Sequence, residues 1–217
     1  MAAYYYLPHK RKWEPARGQG QSQPDGKRRM SIVEIKVTLE DVEPTVTRTL
    51  QVPADIRLDR LHLALQAAMG WTNSHLYMFE AGSATWGLPD PAFPGDDLPA
   101  NKTTLWQVIE DTGKKSINYI YDFGDDWRHT LKIGKISDPI PGDLYPKLTE
   151  ITGKCPPEDV GGLPGYEQFL EAIDDPAHPE HDEIKEWCGG TFDPNHPETD
   201  ELKLEVLKLA KKWKPRK

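Results

Sequence analysis

From Ser31 onward, apolar and polar residues alternate strictly. Val33, Ile35, Val37 and Leu39 fall on one side of the alternation and Ile32, Glu34, Lys36 and Thr38 on the other, which predicts a strand that buries the first set. Asp41 to Pro44 reads as a turn, and Val46 to Val52 as a returning strand. Leu58, Leu61, Leu65 and Met69, with Ala64 and Ala68, then recur at helical spacing, and Gly70 is suited to close that helix. Leu76 to Glu80 and Thr85 to Leu88 predict two more strands around Gly82.

The most informative stretch is Ile117 to Ile133, where two alternating runs flank an acidic turn, the pattern of a β-hairpin with one buried face. Ile117, Tyr119 and Tyr121 share a face of the first strand, and Trp127, His129, Leu131 and Ile133 share a face of the second. Gly124 is suited to a positive φ in the turn, and Asp125 and Asp126 to bonds with nearby backbone N–H groups. Ahead of the hairpin, Pro89 to Pro99 is a proline- and aspartate-rich loop, and Thr104 with Gln107 fits the capping box of a short helix ending near Glu110. Beyond Ile136, Pro139, Pro141, Pro146, Pro156, Pro157 and Pro164 leave little room for regular structure. Tyr166, Phe169, Leu170 and Ile173 mark a helix from about Gly165, Pro179 suits the first turn of another that reaches Trp187, and Leu202, Val206, Leu209 and Trp213 mark a last one. The fold class is α+β, a mixed or antiparallel sheet with the C-terminal helices packed on it. The order strand, strand, helix, strand makes the N-terminal half β-grasp-like by analogy.

Composition narrows the setting. Charged residues at 29% and a mean hydropathy of -0.69 describe a soluble chain, and no apolar run reaches the roughly 18 residues that span a membrane. The N-terminus lacks the apolar stretch of a signal peptide, and two cysteines, Cys155 and Cys188, fit a reducing compartment, so a cytoplasmic location is expected. The net charge of -8 is unevenly spread: residues 1–30 hold seven basic and two acidic residues, a net of +5, and the remainder 20 basic and 33 acidic, a net of -13. The first thirty residues lack a hydrophobic period and read as a disordered basic leader, with residues 31–217 as a single α+β domain. Such a body repels a phosphate backbone. Nucleic acid contact is therefore expected only through Lys10, Arg11, Lys12, Lys27, Arg28 and Arg29 of the leader, and the body suits a protein partner.

Three stretches carry candidate chemistry. Asp122, Asp125, Asp126 and His129 crowd carboxylates and an imidazole into the hairpin, as a divalent metal or an acid/base pair requires. The commoner use of such residues is to build the turn, and alternation sets His129 on the Trp127 face and Asp122 opposite Tyr121. In Cys155-Pro-Pro-Glu-Asp-Val-Gly-Gly-Leu-Pro-Gly-Tyr166, Glu158 and Asp159 would repel phosphate and Pro164 removes a donor, so no nucleotide cofactor is expected. The glycines there serve a tight turn, and the two acids a helix cap or a salt bridge. His178 and His181, three apart at a helix start, could take a metal with a carboxylate, though without the His-Glu-x-x-His spacing of a metalloprotease. Neither cysteine has a zinc-like neighbour, and both read as small apolar residues.

Taken together, Tyr121-Asp-Phe-Gly-Asp-Asp-Trp-Arg-His129, Pro156-Pro-Glu-Asp-Val-Gly-Gly162, Gly165-Tyr166 with Phe169-Leu170, Asp175-Pro-Ala-His-Pro-Glu-His181 and Gly70-Trp71 with His75-Leu76 resemble the plasmid pRiA4b ORF-3-like family. Its members also carry the label of insertion-element passenger, TnpR-like proteins. The resemblance runs from about Ser31 to Asp193 or beyond. It implies an α+β domain, a bacterial or archaeal setting and an association with plasmids or mobile elements, and it supplies no reaction. Val160 stands where the family often has cysteine, which weakens any pairing with Cys155 as a thiol site. The expected function is a non-catalytic binding or interaction module serving a plasmid or mobile element. The alternative is a metal-dependent hydrolase or nucleic-acid-processing enzyme built on an Asp/Glu/His cluster. The two part on whether the acids and histidines of these separate stretches meet in one cleft.

Overall fold

The computed structural model describes residues 31–88 and 97–214. The basic leader, with Lys10, Arg11, Lys12, Lys27, Arg28 and Arg29, and most of the Pro89–Pro99 loop lie outside the described residues. In chain order the elements are β1 (Ile32–Leu39), β2 (Thr47–Pro53), α1 (Leu58–Met69), β3 (Tyr77–Ala81), β4 (Ala84–Gly87), β5 (Leu98–Pro99), α2 (Leu105–Thr112), β6 (Ser116–Tyr121), β7 (Trp127–Ser137), β8 (Lys147–Thr152), α3 (Gly162–Asp174), α4 (His181–Trp187) and α5 (Thr199–Trp213).

One eight-stranded sheet runs in the order β5-β4-β3-β6-β7-β1-β2-β8, antiparallel throughout except for the parallel β4–β5 pair. This is the expected α+β architecture. The β-grasp-like detail is not confirmed: β3 leaves α1 but pairs with β4 and β6, so that β6 and β7 separate it from β1. β8 breaks the expectation of an irregular segment after Ile136. It pairs with β2 at the sheet edge and buries Leu148 alone, too little apolar pattern to stand out among the prolines.

The alternation in β1 is realised from Val33 on, with Val33, Ile35, Val37 and Leu39 buried on one face, while Ile32 of the other set is buried as well. Leu58, Leu61, Ala64, Leu65 and Ala68 of α1 are completely buried in the same core, at about 2 kcal/mol for each leucine. Gly70 ends α1 at φ +87, returning its N–H to Gln66 O. Thr104 and Gln107 form the reciprocal capping box of α2, which runs to Thr112 before Gly113. α5 packs on α1 and β8 through Leu202, Val206 and Ala210. No helix among the described residues is long and apolar enough to cross a membrane.

The β6–β7 hairpin stands at the centre of the sheet, with Tyr119 opposite His129 and Tyr121 opposite Trp127. Its tip departs from expectation in one respect. Gly124 does not supply the positive φ; Asp122 and Asp126 do, at +57 and +56. The Asp122 side chain compensates by accepting from Gly124 N at 2.9 Å and Asp125 N at 3.3 Å. Against this tip lies the loop Pro156–Gly161, which leads into α3. A Cβ on Gly162, whose φ is +67, would meet the Asp125 carbonyl oxygen at 2.6 Å, so a side chain there would force the tip and the loop apart. Gly162→Ala is therefore expected to lower stability by roughly 1–3 kcal/mol, read as a drop in the urea midpoint.

Candidate functional site

Three loops converge at one end of the sheet. The first, Trp71–Leu76, runs from α1 to β3; the second is the tip of the central hairpin; the third is Pro156–Gly161. Each brings one potential ligand. His75 Nδ1 lies 3.5 Å from Asp122 Oδ2, and His75 Nε2 lies 2.9 Å from Asp159 Oδ1. The donor atoms of the three side chains fall within 4.8 Å of one another, and no other group of three such residues among the described residues does so.

The geometry of His75 is unusual for a simple ion pair. Its Nε2 is buried, and although a carboxylate oxygen stands 2.9 Å away, the oxygen lies off the N–H direction and no hydrogen bond forms. Asp122 divides its labour: Oδ1 holds the turn while Oδ2 faces the histidine. Asp122 is 8% exposed, whereas the Asp159 side chain is 68% exposed, so the cluster is closed on the hairpin side and open on the loop side. Asp122 and Asp159 both hold positive φ, +57 and +60, and Asn73 and Asp126 close by do the same. Of the residue types that bear side chains, Asn and Asp adopt this conformation most readily, and its concentration here marks a place where side-chain placement outweighs backbone comfort.

Tyr121 ties the three loops together. Its hydroxyl accepts from Ser74 N at 3.0 Å and His75 N at 3.3 Å and donates to Glu158 Oε1. The other oxygen of Glu158 accepts from Thr72 N at 2.8 Å and from the Thr72 hydroxyl. Trp71 adds a second tie, donating from Nε1 to Pro156 O at 3.0 Å and stacking on Tyr121 at 5.1 Å between ring centroids. Beneath the first loop, Gln66 Nε2 donates to the Tyr119 hydroxyl at 3.0 Å, which lies 2.7 Å from His62 Nδ1. With Nε2 of the same ring against Asn73 Oδ1, the consistent tautomer carries its proton on Nε2 and accepts from Tyr119 on Nδ1.

The structure separates the predicted residues. Asp122 and Asp159 enter the cluster, and Glu158 stands beside it with both oxygens engaged in holding the loops. Asp125 Oδ2 accepts from Gly161 N at 3.2 Å and helps dock the third loop, and Asp126 pairs with Arg128 at 2.9 Å. His129 is kept out because it is wholly buried within the sheet. Its Nδ1 contacts the carbonyls of Tyr119 and Trp127 at 3.2 and 3.1 Å, and its ring meets the edge of Trp71. His178 and His181 belong to a different region: His178 Nδ1 accepts from Glu180 N, and His181 Nδ1 lies 2.9 Å from Ala172 O, tying α4 to α3. The hairpin and the Pro-Pro-Glu-Asp loop thus meet, and the His-Pro-Glu-His stretch does not join them. Burial pushes the Cys155 thiol up to about 12, consistent with a small apolar residue. In the sequence His75 counts only among the residues that carry the resemblance and not as a ligand; its signal is a polar run, Thr72 to His75, held between a helix-closing glycine and a strand.

A mostly antiparallel eight-stranded sheet with five helices, and three loops gathering an Asp-Asp-His cluster at its end, defines an α+β fold with a candidate cation site. Residues 31–201 match the plasmid pRiA4b ORF-3-like protein family, and the chain belongs to that family. Over 161 residues it is 52% identical to the uncharacterized protein y4hQ of Sinorhizobium fredii, an alignment that covers 74% of this chain and 82% of that protein. It is also similar to the crystal structure of MM3350, a protein of unknown function from Methanosarcina mazei Go1, with a TM-score of 0.68 and 29% identity over 79% of this chain and 96% of the other.

Two outcomes follow from this geometry. Tyr121→Phe removes the hydroxyl that serves three partners, and is expected to cost about 1–3 kcal/mol in urea unfolding. Burial pushes His62 and His129 down from 6.5 to about 4. The unfolded chain takes up these protons first on acidification, so the stability linked to them is present above pH 6.5 and is lost as the pH falls towards 4, on the order of a few kcal/mol in total. Urea midpoints are expected to fall across that window, and to fall less steeply in His62→Gln; a flat profile would contradict the neutral buried state of both rings.

Proposed function

We propose that the chain is a divalent-cation protein in which His75, Asp122 and Asp159 hold the metal, and that the open side of this site serves metal-dependent hydrolysis. The observation that carries the reading is the meeting of one imidazole and two carboxylates from three loops within 4.8 Å. One nitrogen and two oxygen donors suit Mn²⁺, Fe²⁺ or Zn²⁺, and three protein ligands leave positions for water and substrate. The exposed Asp159 side chain lies on the wall of a cleft of about 450 Å³, which also takes in Glu158. When bound, the metal would supply a Lewis acid and an activated water. The chain's own part is positioning: Asp122 is fixed by its turn, His75 by the Tyr121 hydroxyl, and Asp159 by the docked glycine loop.

A second reading, a non-catalytic module that binds a protein partner, is favoured by Leu76 and Phe123. These residues adjoin His75 and Asp122, and they are 58% and 54% exposed. A cytoplasmic setting, supported by the two free cysteines, and a role in plasmid or transposon biology, suggested by the family's description, fit either reading.

Titration calorimetry of chelator-stripped protein with Mn²⁺ and Zn²⁺ is expected to give one site per chain, weakened roughly tenfold or more in His75→Ala and in Asp122→Asn. Absence of stoichiometric binding, or variants that bind as the wild type does, would overturn the cation site. Turnover of p-nitrophenyl phosphate by the metal-loaded wild type, lost in His75→Ala, supports hydrolysis; metal binding without turnover of phosphoesters or carboxylic esters supports the binding module.

A further inference from the structure

Arg48 is a buried cation with no buried counter-ion. It is 0% exposed, and its Nε donates to Ala68 O at 2.7 Å while Nη1 donates to Thr47 O, Thr152 O and Gly153 O at 2.8, 2.7 and 3.0 Å. These carbonyls satisfy two nitrogens but bring no net charge, and Nη2 is buried without an acceptor. Among the described residues no carboxylate pairs with Arg48. An enclosed guanidinium left in this state is costly, and such a cost is tolerated where something else meets the charge.

The charge sits on the wall of the 450 Å³ cleft, beside Lys154 and Cys155. Its carbonyl partners Ala68 and Gly153 directly precede Met69 and Lys154, which line the cleft together with Cys155 and Glu198, so the head group lies beside it. The other charges there are accounted for: Lys154 pairs with Glu198, Glu158 accepts from Tyr121 and Thr72, and Asp159 faces His75. The lining holds two cations, Arg48 and Lys154, against three carboxylates, and of the two cations Arg48 is the one without a direct ion pair. A planar guanidinium edge with a free nitrogen suits an oxyanion, to which it donates in a fixed direction.

We propose that this cleft binds the oxyanion group of a ligand, a carboxylate or a phosphate, with Arg48 Nη2 as its anchor and Lys154 as a second cation near the mouth. The assignment does not depend on the cation site, since Arg48 belongs to β2 and touches none of the three metal-ligand residues. Glu158, Asp159 and Glu198 line the same cleft and oppose a multiply charged anion, so acetate is expected to bind more tightly than phosphate.

The test is a calorimetric titration of full-length, metal-free protein, in resin-treated buffer, with inorganic phosphate and separately with acetate. Saturable binding of either supports the proposal, and the tighter of the two decides between a phosphate and a carboxylate ligand. Binding is expected to weaken about tenfold in Arg48→Lys, which keeps a cation but loses Nη2. Because Arg48→Lys alters a wholly buried residue, Lys154→Gln and Thr191→Trp at the exposed rim provide readings independent of folding, both expected to bind several-fold more weakly. No saturable binding of either anion to the folded wild type at millimolar concentrations would overturn the proposal. So would affinities unchanged in Lys154→Gln and Thr191→Trp.

Discussion

The hydroxyl of Tyr121 is the joint on which the end of this molecule is built. It is the last residue of β6, and its position is set by the sheet: it pairs with Trp127, stacks on Trp71 and is wholly buried. From that fixed point one oxygen accepts from two backbone N–H groups of the first loop and donates to Glu158 of the third. Burial, with Glu158 adding to it, keeps the phenol protonated and able to donate. Three loops with no regular structure are thereby referred to one rigid strand. Glu158 extends the joint by holding Thr72 with its other oxygen. The cluster of His75, Asp122 and Asp159 is the consequence, since each belongs to a loop that this joint or its neighbours hold in place.

The arrangement divides tasks among acidic residues that look equivalent in composition. Asp122 spends one oxygen on its own turn and keeps the other for the histidine. Glu158 spends both on positioning, and Asp125 and Asp126 serve the docking and flank of the hairpin tip. Asp159 is left largely exposed, on the cleft side. A site built this way is preorganised on one side and accessible on the other, which is the division that an open metal centre needs. The buried His62–Tyr119–Gln66 network gives the first loop an underside equally fixed, through Asn73.

Much of this fold is legible in the sequence because local pattern and tertiary burial agree. The alternation in β1 and the central hairpin, the helical spacing of α1 and the capping box of α2 all appear where their periodicity places them. β8 was invisible because an edge strand with one buried residue needs no alternation, and its pairing with β2 spans a hundred residues. The site was legible only in part. Asp122, Glu158 and Asp159 stood out as charges in short motifs, but nothing local tells which carboxylate caps a turn and which remains free. His75 was hidden because its chemistry arises from two carboxylates 47 and 84 residues further along the chain, and His129 attracted notice although period-two alternation already sent it into the core. Arg48 was hidden for the same reason: a charged residue in a strand reads as solvent-facing until the fold buries it.

The central claim is that His75, Asp122 and Asp159 form one cation site. Its most direct test is an anomalous-difference map from crystals of the full chain grown with Mn²⁺. The account predicts a peak bounded by His75, Asp122 and Asp159. A map with no peak there, or with its one strong peak beside His178 and His181, would contradict it.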